Sequence, residues 1–384
     1  MKILVLNSGS SSVKYKLIDT DSEKTLAEGG VEKIGLADGF LKYKRPDGTK
    51  AIIELGKTDH QGAIKAILNL LTDPEWGCLK SFDEIDAVGH RVVHGAETFT
   101  KSVLIDGAVK EKIRECYDLA PLHNPANMTG IEAIDALMPG VPQVAVFDTA
   151  FHQTMPAKAF MYALPYEDYT RYGIRRYGFH GTSHRYVSRR VCEFLGVPYD
   201  KQRIITCHIG NGASIAAIRD GISVDTSMGL TPTEGLVMGT RVGLDADGLT
   251  NVINKKSGVL GISGISSDMR DIEDAIAAGN ERAKLAMDMY EYRILKYIGA
   301  YTAVLGGVDI IVFTAGVGEN SPELREAICE KLAYMGVTLD KEANRSRGKE
   351  VVISGPDSKV KVVVIPTDEE LVIAQDTAAI AGKK

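Results

Sequence analysis

Five short segments of this 384-residue chain gather the side chains that could do chemistry. They are Gly89-His90-Arg91-Val92-Val93-His94-Gly95, Pro121-Leu122-His123-Asn124-Pro125, Phe147-Asp148-Thr149-Ala150-Phe151-His152, Gly178-Phe179-His180-Gly181-Thr182-Ser183-His184 and Met238-Gly239-Thr240-Arg241. Four of them set a histidine, arginine or aspartate beside an apolar residue and within four positions of glycine or proline. That is the composition of loops lining a pocket rather than of a solvated face.

Three glycine-rich turns add to these: Asn7-Ser8-Gly9-Ser10-Ser11-Ser12, Gly210-Asn211-Gly212-Ala213-Ser214 and Ala315-Gly316-Val317-Gly318-Glu319-Asn320. Each leaves an expected β-strand. Backbone amides in such turns converge on anions, and glycine admits phosphate oxygens where a Cβ would block them. Any one could be an ordinary hairpin turn, but three beside the charged segments suit phosphate or nucleotide handling. His90 with His94, or His180 with His184, has the spacing of a helical zinc pair, yet Arg91-Val92-Val93 is strand-like and no H-E-x-x-H is present. Oxygen donors such as Asp148 and Glu369 suit Mg²⁺ better; a helix cap or an ion pair is the alternative for each. Ser10, Ser11 and Ser12 lack a G-x-S-x-G setting, so they fit phosphate binding better than acylation.

The elements that must position these residues follow from hydrophobic pattern. Ile3 to Leu6 and Val13 to Ile18 form a hairpin around the first turn; Arg203 to Ile209 and Ile215 to Ile218 form one around the second, closing at Asp220-Gly221. Aligning the two turns superposes a glycine and a serine about 200 residues apart, a sign of internal duplication. Short strands are expected at 41–43, 51–55, 85–93, 144–147, 309–314 and 360–365. Helices are expected over 60–71, from Pro125 with Asn124 as N-cap, over 283–305, from Ser321-Pro322, and from a Thr367-x-x-Glu370 capping box.

The length predicts about two domains. With 44% hydrophobic and 25% charged residues, disorder and fibrous architectures are excluded. The 45 basic and 51 acidic residues, a net charge of −6, argue against nucleic acid or a membrane surface as partner. The opening apolar run is too short for a signal peptide, no stretch reaches the ~18 apolar residues of a membrane span, and five scattered cysteines suggest free thiols. A cytoplasmic protein is expected.

The segment from Leu4 to Lys14 resembles the first signature of the acetokinase family, and Cys207 to Ser214 resembles the second. The similarity continues through GHRVVHG, APLHNP, VFDTAFHQTMP, YGFHGTSH, MGTR, NKKSGVLG, FTAGVGENS and PTDEEL, covering essentially the whole chain. It implies an α/β fold of two duplicated ribonuclease-H-like (actin-like ATPase) domains with a nucleotide cleft between them. The division implied is 1–147, joined by a final helix over 371–384, and 148–370, which carries most of the nucleotide site. The implied reaction is reversible transfer of the ATP γ-phosphoryl group to acetate, giving acetyl phosphate and ADP, with Mg²⁺ or Mn²⁺ as cofactor, in a homodimer.

By the same resemblance Arg91 and Arg241 hold the carboxylate and neutralise the transferring group, for which guanidinium is suited. His180 donates to that group, His123 helps bind phosphate, and Asp148, Glu369 and Asn7 position the metal. Val93, Leu122, Phe179 and Pro232 line the pocket for the substrate methyl group. Ser10, Ser12, Lys14, His208, Gly210, Asn211, Gly212, Ala315, Gly316, Gly318 and Asn320 fall to the nucleotide, with Asp268, Met269 and Arg270 on the adenine side, where the family usually has an aromatic at the middle position. After Arg241 the chain is roughly 15 residues short of the family's pattern, through either a true deletion or, the reading favoured, the omission of a mobile segment of the kind that gates active sites. A propionate kinase is the near alternative, since one methylene is worth only ~1–3 kcal/mol of discrimination. A nucleotide-driven chaperone or actin-like module is the remote one. Arg91 and Arg241 beside an apolar pocket, without a separate peptide-binding domain, favour the carboxylate kinase.

Overall fold

The computed structural model describes residues 1–238 and 257–382. Arg241 and the shortfall expected after it lie outside the described residues. The chain divides into two compact units, Met1–Ala150 with Asp368–Lys384, and Phe151–Thr367. Asp148 and Glu369, placed in the second half by the sequence-based division, belong to the first unit.

The first unit is built on strands β1 (Lys2–Ser8), β2 (Ser12–Asp19), β3 (Lys24–Glu32), β4 (Phe40–Lys44), β5 (Lys50–Glu54), β6 (Ala87–Val92), β7 (Val103–Leu104) and β8 (Gln143–Phe147). They form one sheet in the order β5-β4-β3-β2-β1-β6-β8-β7. β1 runs antiparallel to β2 but parallel to β6, which is parallel to β8. Parallel strands are covered on both faces and so read as continuous apolar runs; all five residues of β8 are buried. One face packs against helix His60–Leu71, through Ile64, Ile67, Leu68 and Leu71, and against helix Asn124–Leu137. The other takes helix Glu369–Ala381, whose Ile373, Ala374 and Ala381 pack with Ile3, Val5, Val144 and Val146. Gly89 permits that contact, because a Cβ there would lie 2.4 Å from Thr377 Oγ1 and 2.7 Å from Ile373 Cγ2.

In the second unit β9 (Arg203–Ile209), β10 (Ala213–Arg219), β11 (Ile222–Thr226), β12 (Ile310–Thr314), β13 (Val351–Val352) and β14 (Lys361–Val364) pair as β11-β10-β9-β12-β14-β13. β9 is antiparallel to β10 and parallel to β12, which is parallel to β14. This repeats the β3-β2-β1-β6-β8 pattern of the first unit, strand for strand. Asp220 and Gly221 have φ of +53° and +80°, the paired positive values of a tight hairpin turn. Val187 and Val191 of helix Gly181–Leu195 pack with Ile204, Ile218, Val312 and Val363.

Three local expectations are corrected. Asn124 lies inside its helix rather than capping it; His123 holds the preceding position, and the Asn124 side chain is spent on the backbone of His94. The last helix is capped by Asp368, which accepts from Leu371 N at 3.0 Å, while the Thr367 hydroxyl bonds Ser183 Oγ at 2.8 Å. Ala315–Asn320 is a short helix, not a turn, because the Glu319 carboxylate accepts from Ala315 N at 2.7 Å and so satisfies an amide at its start.

Candidate active site

In the first unit the ends of three neighbouring parallel strands bring Asn7, Arg91 and Asp148 together. Arg91, next to last in β6, donates through Nε to Asp148 Oδ1 at 3.0 Å and through Nη2 to Oδ2 at 2.5 Å. Its Nη1 donates to Asn7 Oδ1 at 3.3 Å. The Asp148 side chain is 1% exposed and that of Arg91 21%. Burial works against the guanidinium charge, but Asp148 and then Glu369 outweigh it and hold Arg91 above its usual range. Glu369, in the first turn of the final helix, is raised to about 7 by burial and by the charge of Asp148, against the pull of Arg91.

The backbone that follows Arg91 is fixed by two buried asparagines. Asn127 Oδ1 accepts from Val93 N at 3.1 Å and its amide donates to Ser8 O at 2.7 Å; Asn124 both accepts from His94 N and donates to His94 O. Val93 is buried, whereas Leu122 is 58% exposed and thus no core residue. His123 stands at the start of the Asn124–Leu137 helix.

In the second unit His180 precedes helix Gly181–Leu195 in a left-handed conformation, φ +56°, uncommon outside glycine. Its ring stacks on His208 at 4.1 Å between centroids, and Nδ1 lies 2.9 Å from Ser214 Oγ. Ser214 Oγ also contacts His184 Nε2 at 2.8 Å, so with one hydroxyl proton for two ring nitrogens at least one imidazole must donate to it. His208 Nδ1 is 2.8 Å from Ser183 Oγ. A Cβ on Gly212 would stand 3.3 Å from His180 Cε1 and 3.4 Å from Nε2, which sets that ring edge against the second glycine turn. Phe179 is buried, and its carbonyl accepts from His152 Nε2 at 3.1 Å.

A cavity of about 520 Å³ in the second unit is lined by Gly210, Asn211, Asp268, Met269, Arg270, Gly316 and Asn320, seven of the residues expected at the nucleotide. Ser267, Glu273, Val317, Ser321 and Arg347 also line it. Arg270 pairs with Asp268 at 2.6 Å. Ala315 and Gly318 belong to the short helix whose Gly316 and Asn320 reach the cavity. In the first unit Ser10 and Lys14 are exposed and Ser12 half-buried around the β1–β2 turn, which is closed by Gly9 N donating to Ser12 O at 2.8 Å.

Several contributors escape a reading of sequence. Lys16 Nζ bonds Asp368 Oδ1 at 3.1 Å and so ties β2 to the start of the helix bearing Glu369, across 352 residues. The fully buried Arg325 donates to Gly318 O, Asn344 O and Ser346 O, tying the short helix to the segment that presents Arg347. Only the Asn124/Asn127 pair had a signal: two asparagines three apart on an otherwise apolar helix face. Among the described residues no cluster of three or more His, Cys, Asp or Glu could hold a metal, and no helix is long and apolar enough to cross a membrane.

This geometry has close counterparts. The acetate kinase of Parabacteroides distasonis is 61% identical, with all of both chains covered, over an alignment of 400 positions, longer than the chain itself. The crystal structure of Porphyromonas gingivalis acetate kinase matches with a TM-score of 0.94 at 58% identity, and that of a propionate kinase from Francisella tularensis with 0.92 at 42%, each covering 99% of both chains. The sequence model of the acetokinase family matches residues 2–375. On fold, strand-end residues and full-length similarity alike, the chain belongs to the acetokinase family.

Proposed function

We propose that the chain, a kinase whose acceptor is the carboxylate of acetate, transfers the γ-phosphoryl group of ATP directly and in line, with Arg91 at the acceptor. The observation that carries this is the Arg91 guanidinium, held at a strand end by Asp148 and Asn7 with part of its surface open. Phosphoryl transfer requires positioning and charge stabilisation rather than covalent work by the protein. An acetate carboxylate is ionised at neutral pH and needs no general base. One of its oxygens forms a bond to the γ-phosphorus as the bond to the β,γ-bridging oxygen breaks, and ADP leaves.

Arg91 orients the carboxylate, and Arg241 shares that role. His180, its ring edge set toward Gly212, donates a hydrogen bond to the transferring group, with His123 binding phosphate. Val93, Leu122, Phe179 and Pro232 take the methyl group, so propionate is a slower substrate. Asn211, the glycine turns and the cavity beside Met269 take ATP, with Met269 supplying a thioether contact in place of a ring.

The donors of Asn7, Asp148 and Glu369 fit a hard cation, Mg²⁺ or Mn²⁺: all are oxygens, and the two carboxylates press on each other with Arg91 the counter-charge between them. When bound, the cation would neutralise nucleotide phosphate oxygens. Five free cysteines suit a reducing cytoplasm, and the family resemblance supports a homodimer. The test is hydroxamate trapping of acetyl phosphate: acetate-dependent product with MgATP is expected, and its absence would sink the reading.

A further inference from the structure

The segment that carries Phe179 and His180 and the loop that carries Pro232 are joined by one half-buried network. Arg176 Nη1 donates to three successive carbonyls, Thr226 at 2.9 Å, Ser227 at 3.0 Å and Met228 at 3.0 Å. Its Nη2 reaches across to Glu234 Oε1 at 2.5 Å. The other carboxylate oxygen accepts from Tyr162 OH at 2.5 Å, and that hydroxyl in turn accepts from Leu230 N at 2.8 Å. Gly229 closes the joint: its carbonyl accepts from Tyr177 N and Gly178 N, and a Cβ on it would overlap Glu234 Oε2 at 1.8 Å. Both ends of the loop are thus gathered on one guanidinium, four residues before His180, and its middle is held through Tyr162.

A guanidinium is planar and charged at every working pH, and several carbonyls can share its fixed fork, so it defines a loop path that a lysine could not. The start of loop 226–235 is also held by Ser227 with Ile215, whose backbone groups it bonds at 2.9 Å each, but the far end is turned back on the Arg176 guanidinium through Glu234, with the half-buried Pro232 between the two. We infer that Arg176, with Glu234 and Tyr162, is the positioning unit for the acceptor end of the site, setting the depth of the methyl pocket and hence the choice among short carboxylates. None of the three touches the reacting atoms. The inference rests on Pro232 and Phe179 lining that pocket in the proposed function.

The test uses the full chain with Glu234→Gln and Tyr162→Phe, which keep shape and remove one link each, and with Arg176→Lys, which keeps charge and removes the fork. In Glu234→Gln and Tyr162→Phe the KM for acetate should rise on the order of 10-fold, as for small misplacement of a binding group, with kcat and the KM for MgATP within about twofold. Discrimination between acetate and propionate should fall by a similar factor. Arg176→Lys should show the larger effect; should it not fold, the other two decide. Unchanged acetate KM and selectivity in both, or acetate and MgATP constants rising together, would overturn the inference. A wild-type chain without acetate-dependent activity would instead overturn the proposed function.

Discussion

Removing the Arg91 side chain should damage stability and turnover through separable physics. Asp148 is 1% exposed, and both its carboxylate oxygens accept from this one guanidinium, while its backbone N donates to Val92 O. Breaking a buried ion pair by deleting one member leaves the other charge stranded, which costs about 3–5 kcal/mol. Arg91→Ala should therefore lower unfolding free energy by about that amount and, as a lost transition-state donor, lower kcat by about 10²–10³. Adding Asp148→Asn makes the stranded group neutral, so the double variant should regain half or more of the lost stability yet none of the turnover. The assays are urea unfolding and hydroxamate detection of acetyl phosphate on the wild type, both single variants and the double. Wild-type stability in Arg91→Ala would show that the pair does not hold the strand ends together. Recovery of kcat in the double variant would refute both assignments, since Arg91 would then serve only to neutralise Asp148.

Gly89→Ala should lower the melting temperature and activity together, because the new methyl meets Thr377 and Ile373 and overpacking costs about 1–3 kcal/mol; Thr377→Ala, which removes the nearest atom, should restore part of both, and no shift in Gly89→Ala would refute the close approach. Gly212→Ala should leave stability within about 1 kcal/mol, since its backbone φ is not in the left-handed region, but cut kcat on the order of 10-fold through His180; unchanged kcat would separate the ring from the chemistry. Acid should destabilise the fold through buried imidazoles. Burial lowers His90 and His152 to about 4 and holds His184 well below its usual range, so between pH 4 and the unfolded value near 6.5 the unfolded chain binds more protons. Their contribution is full above about pH 6.5 and lost as pH falls toward 4, up to about 3 kcal/mol for each of the first two; urea unfolding from pH 4 to 8 should show a shallower slope for His90→Gln, and an unchanged slope would refute it.

The fold was legible where the pattern of burial is local. Helix His60–Leu71 and the two glycine hairpins follow from apolar spacing and turn residues alone. Caps were misread where a side chain had a better distant use: Asn124 serves the backbone of His94, and Thr367 serves Ser183. Such choices depend on what folding brings near, which spacing does not encode. The same holds for Lys16 with Asp368 and Arg176 with Glu234, pairs of ordinary surface-type residues at separations of 352 and 58. The site residues were nameable because they cluster beside glycine and proline, whereas the residues that aim them carry no such mark.

The repeated sheet explains why such different chemistries sit at matching places. Ligands of open α/β sheets gather beyond the carboxyl ends of parallel strands. In the first unit those ends offer Asn7 on β1, Arg91 on β6 and Asp148 after β8, a set of charges and oxygens. In the second the corresponding ends offer His208 on β9, Thr314 leading into Ala315 on β12, and Thr367 after β14, a set of imidazole, hydroxyl and backbone amides. The apolar strand interiors are fixed by packing against helices, whereas the residues at the strand ends are fixed by polar partners, Asp148 by Arg91 and His208 by Ser183. The repeated sheet thus has two equivalent rims that differ at three positions each, asparagine, arginine and aspartate on one and histidine and two threonines on the other. A consequence is that exchanging a rim residue held in a buried ion pair, as Arg91 is by Asp148, should disturb chemistry and folding together, as should Gly89 beneath the rim.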